Sequence, residues 1–276
     1  MADLFNLVIY PLNYTELFTA WKRYPKAELF AGGTALIREQ GKSIIDLPPV
    51  ILSLDTIEEM QKISRSERYI EIGAMVKLSQ ILNLGTIVPA VLRRCLENIS
   101  GPQLRNMVTL GGNLCFPGGR LDSSAALIAL DAQLELRTSQ SARWVSAPWF
   151  FAVQGKTALN PQELLTRIRV PLDEWDYTAY KKFSGQAHLS KAVIFLAKTQ
   201  KNILSDIRIV YKTDVVFRYK DSESILIGKN LPLNQKIAAD FTGKWESFLC
   251  SIPNVDELSR KELINFIKIN IHNLSE

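Results

Sequence analysis

The spacing of apolar and polar residues divides the chain into short elements. Residues 15–24, "TELFTAWKRY", put Leu17 and Trp21 on one face, with Thr15 as a candidate cap and Pro25 just beyond the end. That pattern predicts a helix. Short apolar runs in "AELFAGG", "SIIDL", "VILS" and "YIEIG" predict strands. "KLSQIL" predicts a helical turn, and residues 87–100, "IVPAVLRRCLENIS", a helix with Pro89 in its first turn. "NMVTLGGNLC", residues 106–115, reads as strand, turn, strand or as strand, turn, helix. Residues 122–132, "DSSAALIALDA", predict an apolar helix with Asp122 as its N-cap. "QLELRT" and "RWVSA" then read as strands, and "LLTRIRVP", residues 164–171, alternates as a half-buried strand does.

After "LDEWD" the texture changes. Residues 178–219 predict a strand, a helix and two further strands, including "IRIVYK" and "VVFRYK". Residues 257–271 predict an amphipathic helix, with Ser259 and Glu262 as a candidate capping box and Leu263, Ile267 and Ile271 on one face. A domain boundary is expected near residue 175, and a chain of 276 residues suits about two domains.

Composition narrows the function classes. The 47% apolar and 22% charged fractions are those of a globular protein with a full core. The net charge of +5 is scattered among acids, with no long basic block. Nucleic acid is therefore not an expected partner, whereas an anionic small ligand or an acidic partner is. Cys95, Cys115 and Cys250 lie too far apart to form a disulfide framework or a metal-ligand pair, and the only histidines are His188 and His272. No protein-held zinc or iron–sulfur site is expected. The first residues lack the features of a signal peptide, and no apolar run approaches the roughly 20 residues of a membrane helix. A reduced, cytoplasmic location is the expectation, with no membrane partner.

Two stretches share a pattern: "LFAGGTAL", residues 29–36, and "NMVTLGGNLC". Each runs from apolar residues into Gly-Gly. Both could be tight turns, or two loops that hold one anion. Glycine lets the backbone approach a pyrophosphate closely, and successive amides in a turn form an anion-binding nest. Thr34 after the first pair and Thr109 before the second could add hydroxyl donors. Neither stretch has the spacing of a dinucleotide-binding βαβ turn or a P-loop. Asp122 reads as a cap, as an acceptor for ligand hydroxyls or amides, or as both. Cys115 reads as a packing residue and His188 as a surface or packing residue. Two histidines and no paired carboxylates supply no nucleophilic or acid/base set.

Five stretches in order, "AGGTAL", "IDLPPV", "IEIGAMVKLSQIL", "GPQLRNMVTLGGNLC" and "ALIALDAQLEL", resemble the FAD-binding medium subunit of the molybdenum hydroxylases. That family includes xanthine dehydrogenase, aldehyde oxidase and carbon monoxide dehydrogenase. The likeness runs from about residue 5 to residue 200, and more loosely to the end. It implies an α+β protein with a two-part FAD-binding domain of the vanillyl-alcohol-oxidase (PCMH) type over residues 1–175, its parts being about 1–55 and 56–175. A small α+β domain with a three-stranded antiparallel sheet and helices would follow over residues 176–276.

The resemblance also implies site residues. Leu29, Phe30, Ala31, Gly32, Gly33, Thr34, Ala35 and Leu36 of the first loop would wrap FAD. So would Thr109, Leu110, Gly111, Gly112 and Asn113 of the second. Asp122, 13 positions past Thr109, would bond to the ribityl or phosphate region. Ile99 and Leu165 would border the flavin, and Lys182, with Lys181 as the alternative, would stand near it.

The sequence departs from the family at "FPGGR", residues 116–120, where an Asn-Ala-Ser-Pro-like run is usual. It departs again at Ala35, where Asp or Ser is usual, and at Gly185 and Gln186, where a basic pair is usual. The cysteine-bearing insertion that some members carry is absent. The implied activity is a relay. A molybdenum-cofactor large subunit oxidises a substrate, a small subunit with two [2Fe-2S] clusters passes the electrons on, and FAD on this chain delivers them to NAD or oxygen. Two other readings stay open: a free-standing flavoprotein reductase, and a non-catalytic protein on a decayed FAD scaffold.

Overall fold

The structure, a computed structural model, describes residues 7–40, 46–116, 122–152, 157–183, 191–252 and 255–274. The chain divides into two units, Met1–Leu172 and Asp173–Glu276.

The first unit opens with β1 (Leu7–Ile9), α1 (Tyr14–Arg23), β2 (Glu28–Phe30), α2 (Thr34–Gln40) and β3 (Val50–Ser53). The three strands form a parallel sheet in the order β1-β3-β2, with Ile51 opposite both Val8 and Glu28. Asn13, rather than Thr15, caps α1. Its side chain accepts the Glu16 amide at 2.9 Å, which satisfies a donor that the helix itself leaves open, and the Glu16 carboxylate reaches back to the Leu12 amide just before the cap. Of the strand expected at "SIIDL", residues 43–45 lie outside the described residues, and Asp46 and Leu47 are irregular.

The second part of this unit contains β4 (Ile63–Arg65), β5 (Tyr69–Gly73), α3 (Leu78–Asn83), α4 (Ala90–Glu97), α5 (Pro102–Arg105), α6 (Leu110–Leu114), α7 (Asp122–Ala129), β6 (Gln133–Arg137), β7 (Ala142–Ser146), α8 (Ala147–Phe150) and β8 (Leu164–Pro171). Its five strands form an antiparallel sheet in the order β4-β5-β8-β6-β7. The alternation in β8 sends Ile168 and Val170 into the core and leaves Arg167 and Arg169 half-exposed. Every residue of α7 is buried, the polar Asp122, Ser123 and Ser124 of its first turn as well as the apolar run that follows. Asp122 is the first helical residue there, one position inside the expected cap, within the ordinary scatter of helix ends.

The second unit contains β9 (Tyr177–Phe183), β10 (Lys191–Gln200), β11 (Ile203–Lys212), β12 (Val216–Arg218), α9 (Lys220–Leu226), α10 (Gln235–Ser251) and α11 (Glu257–Asn273). The sheet has four antiparallel strands in the order β12-β11-β10-β9, which corrects the expected three. The helix expected within residues 178–219 is not found among the described residues. "KAVIFLAKTQ" is the strand β10 instead, because Val193, Ile194 and Phe195 suit a pleated surface buried on both sides. Phe195, Ile209, Phe241, Trp245 and Ile267 centre the core between this sheet and its helices. Asp256, not Ser259, caps α11, accepting the Ser259 amide at 2.7 Å.

Candidate functional site

The first Gly-Gly pair leads out of β2 into α2. Gly33 has φ +67°, a conformation open to glycine and strained for other residues. A side-chain carbon on Gly32 would stand 2.1 Å from the Met107 carbonyl oxygen, and one on Gly33 would stand 2.5 Å from Cζ of Phe30. The loop therefore lies directly against the segment that enters the second motif. Among the described residues, no acceptor takes the amides of Gly32, Gly33 or Thr34. These are the donors that a helix start leaves for a ligand.

The second Gly-Gly pair differs from the expected amide cradle. It forms the first turn of α6, with Thr109 as N-cap. The Leu110 amide donates to Val76, Gly111 to Ala74 at 2.7 Å, Asn113 to the Thr109 carbonyl, and Gly112 to Thr109 Oγ1 at 3.1 Å. Four successive amides are thus consumed within the fold. Gly111 is needed for close packing, since a side-chain carbon there would meet Ala74 Cβ at 2.7 Å. The motif presents side chains instead. Thr109 Oγ1 is occupied as an acceptor, and among the described residues nothing takes its proton. Asn113 Oδ1 accepts from Ser123 at 2.5 Å, which ties α6 to the start of α7.

Together these elements enclose a cleft of about 530 Å³, the size of a small-molecule or cofactor site. Leu29 through Leu36 form one wall, and Ile99, Thr109, Gly112 and Asn113 the other. Among the described residues, no lysine or arginine lines it. An anion there would be met by neutral donors, namely loop amides and a hydroxyl. A second pocket of about 140 Å³ shares Leu29, Ala31, Gly112 and Cys115 with the cleft and adds Gly111, Leu165 and Glu163.

Two further candidates are buried in the first unit, and a third belongs to the second unit. Leu110 is fully buried, Asp122 is buried at the start of α7, and neither lines the cleft or this pocket. Lys182 is exposed on β9 of the second unit, opposite Ala192. Of the departures, Phe116 lines the cleft, while residues 117–120, 185 and 186 lie outside the described residues, as does His188. Sequence reasoning missed Ile51, Ser100, Leu104 and Val108 on the cleft wall. Leu104 and Val108, four apart and joined by a backbone hydrogen bond of 2.8 Å, carried a helical signal. Ser100 carried none, and its φ of 56° emerges only in the fold.

Among the described residues, the ion pairs of the first unit lie mainly on the five-stranded sheet. Arg167 pairs with Glu135 at 2.6 Å and with Glu71 at 3.2 Å, and Arg169 stacks on Trp144 at 4.1 Å. Burial pushes the Glu135 carboxyl up, but the bonds from Arg167 and Thr166 outweigh it and hold the group below the usual carboxylate range. Tyr14 is pushed up to about 12 by burial, against the opposing pull of Arg137. No cluster of metal-ligating side chains occurs among the described residues, and no helix among them is long and apolar enough to cross a membrane.

Comparison with known proteins bears on what fills the cleft. The family described as "FAD binding domain in molybdopterin dehydrogenase" matches residues 4–173. The glyceraldehyde dehydrogenase medium chain of Sulfolobus acidocaldarius is 30% identical over 223 residues, which is 79% of this chain and 78% of that one. The nicotine 6-hydroxylase medium subunit of Paenarthrobacter nicotinovorans is 24% identical, over 86% of this chain and 89% of that one. A chain of carbon monoxide dehydrogenase from Hydrogenophaga pseudoflava superimposes with a TM-score of 0.79 at 22% identity, covering 99% of this chain and 96% of that one.

Proposed function

Because the chain belongs to the family of FAD-binding domains of molybdopterin dehydrogenases, we propose that it is the flavin-carrying electron-transfer subunit of a molybdenum hydroxylase complex. The observation that supports this most is the cleft itself. The amides of Gly32, Gly33 and Thr34 lack acceptors among the described residues, and these residues line the cleft together with Thr109. Such a cradle fits the pyrophosphate of FAD. The apolar side chains of Leu29, Phe30, Ile99 and Leu104 around it suit the flat, apolar parts of the cofactor. Asn113, held by Ser123, would orient the ligand. Leu165 and Gly111, on the adjoining pocket, would exclude water from it.

Bound FAD would supply the step between one-electron iron–sulfur donors and a two-electron acceptor such as NAD or oxygen. The partners are then a [2Fe-2S] small subunit and a molybdenum-cofactor large subunit, which would hold the substrate. The names of the relatives, glyceraldehyde dehydrogenase and nicotine 6-hydroxylase, span unlike substrates, in keeping with a substrate pocket on another chain. A xanthine-dehydrogenase-like complex is one member of that set. The test is the flavin content of the purified chain and its copurifying proteins. Near-stoichiometric FAD with iron–sulfur and molybdenum chains is expected. Protein left colourless after reconstitution with FAD overturns the reading.

A further inference from the structure

The adjoining pocket is walled by Leu54, Met60, Met75, Leu164 and Leu165, and among the described residues its one carboxylate is Glu163. That side chain is 3% exposed. A buried carboxylate on an apolar wall is costly unless it is paired. The partner is Arg143 of β7, whose Nε donates to Oε1 at 2.7 Å and whose Nη2 donates to Oε2 at 3.0 Å. The Asn160 amide donates to Oε2 as well. Arg143 is itself 43% exposed, and its guanidinium stacks on Trp149 at 4.9 Å. Arg143 thus reaches solvent, while the buried Glu163 belongs to the pocket wall.

We propose that the Arg143–Glu163 pair holds the reduction potential of the flavin against a shift by either charge, with Glu163 as the charge on the pocket wall and Arg143 as the positioning residue that holds and offsets it. This rests on the reading of the cleft as an FAD site. Reduction of a flavin adds negative charge, so a bare carboxylate on the wall disfavours it and a bare cation favours it. Paired, the two charges largely cancel. Each then acts with its own sign when the other is removed. A unit charge beside a water-poor pocket shifts such an equilibrium by about tenfold, or about 30 mV for a two-electron couple.

The experiment is a spectroelectrochemical titration at pH 8 of the full chain loaded with FAD, in the wild type, Glu163→Gln, Arg143→Gln and Arg143→Lys. Glu163→Gln should raise the potential by about 30 mV and Arg143→Gln should lower it by a similar amount, while Arg143→Lys stays near the wild type. A purely structural pair would move both neutralising variants in one direction, and that result overturns the proposal. So does an unmoved potential with FAD fully bound, which leaves the FAD reading standing. Wild-type protein that takes up no FAD overturns both. If Glu163→Gln does not fold, the Gln and Lys variants at the exposed Arg143 still decide the matter: equal potentials in the two overturn the proposal.

Discussion

The Gly111 amide donates to the Ala74 carbonyl at 2.7 Å, and a side-chain carbon on Gly111 would lie 2.8 Å from that same oxygen. The glycine at 111 is therefore required by the packing of α6 on the segment after β5, whatever the cleft holds. Gly111→Ala should cost about 1–3 kcal/mol, the usual range for overpacking. The loss should be the same with and without FAD. Thermal melts of apoprotein and FAD-loaded protein check this, and a loss confined to the loaded form would contradict it.

Gly33 should behave in the opposite way. Its φ of +67° makes alanine there strained by about 1 kcal/mol, and the Phe30 ring, 2.5 Å from the new carbon, is a side chain that can shift. The fold should survive Gly33→Ala, while the loop amides lose their aim. FAD affinity should fall by about tenfold or more, the equivalent of about 1.4 kcal/mol. Fluorescence titration of apoprotein with FAD measures it, and unchanged affinity would count against an amide cradle at this loop.

The contrast shows what the sequence could and could not carry. The two Gly-Gly pairs look alike as strings, yet one is a loop with open amides and the other a capped helical turn. Periodicity cannot separate them, because the difference lies in contacts with Met107 and Ala74, distant in sequence. The strands with clean alternation or β-branched runs, such as β3, β5 and β8, were legible. β10 was not, since a continuous apolar run fits a buried helix as well as a buried strand. Phe241, Trp245 and Leu249 carried the spacing of α10, but Thr242 and Gly243, poor helix formers, sit between them. Leu29 through Leu36 reached the cleft as a contiguous stretch. Leu104 and Val108 reach it only through the path of α5.

Arg167 offers a test of the sheet's charges. Glu135 is 3% exposed, and Arg167 grips both of its carboxylate oxygens, at 2.9 and 2.6 Å. Arg167→Met leaves this buried charge with Thr166 and the more distant Arg137 alone, and should cost up to about 3 kcal/mol at pH 7. The sign with pH follows. In the wild type the folded Glu135 binds its proton more weakly than in the unfolded chain, so its contribution is present above the unfolded value of about 4.3 and fades as pH falls through the folded one. In Arg167→Met, burial should push the carboxyl above its unfolded value, so acid should relieve the cost. Urea melts should show the gap between wild type and variant narrowing from pH 7 to pH 4.

In the second unit, Asp256 does two jobs that mutation can separate. It caps α11 through the Ser259 amide at 2.7 Å and pairs with Lys191 at 2.5 Å. The Lys191 bond, with help from Ser259, holds its carboxyl well below the usual carboxylate range. Its side chain is 56% exposed, so solvent screening limits the pair to about 1 kcal/mol. Asp256→Asn keeps the cap and loses the charge; Asp256→Ala loses both and should cost about 1 kcal/mol more. A depressed folded value means the charge stabilises above the unfolded value of about 3.9 and is lost as pH falls through the folded one. Wild type and Asp256→Asn should therefore differ by a constant amount from about pH 5 to pH 8 and converge from about pH 4 toward pH 2. High salt should shrink the plateau, whereas the further loss in Asp256→Ala, a matter of capping, should persist in salt. Denaturant melts across pH and ionic strength measure both terms, and a gap that grows in acid would assign the wrong sign to the Lys191 pair.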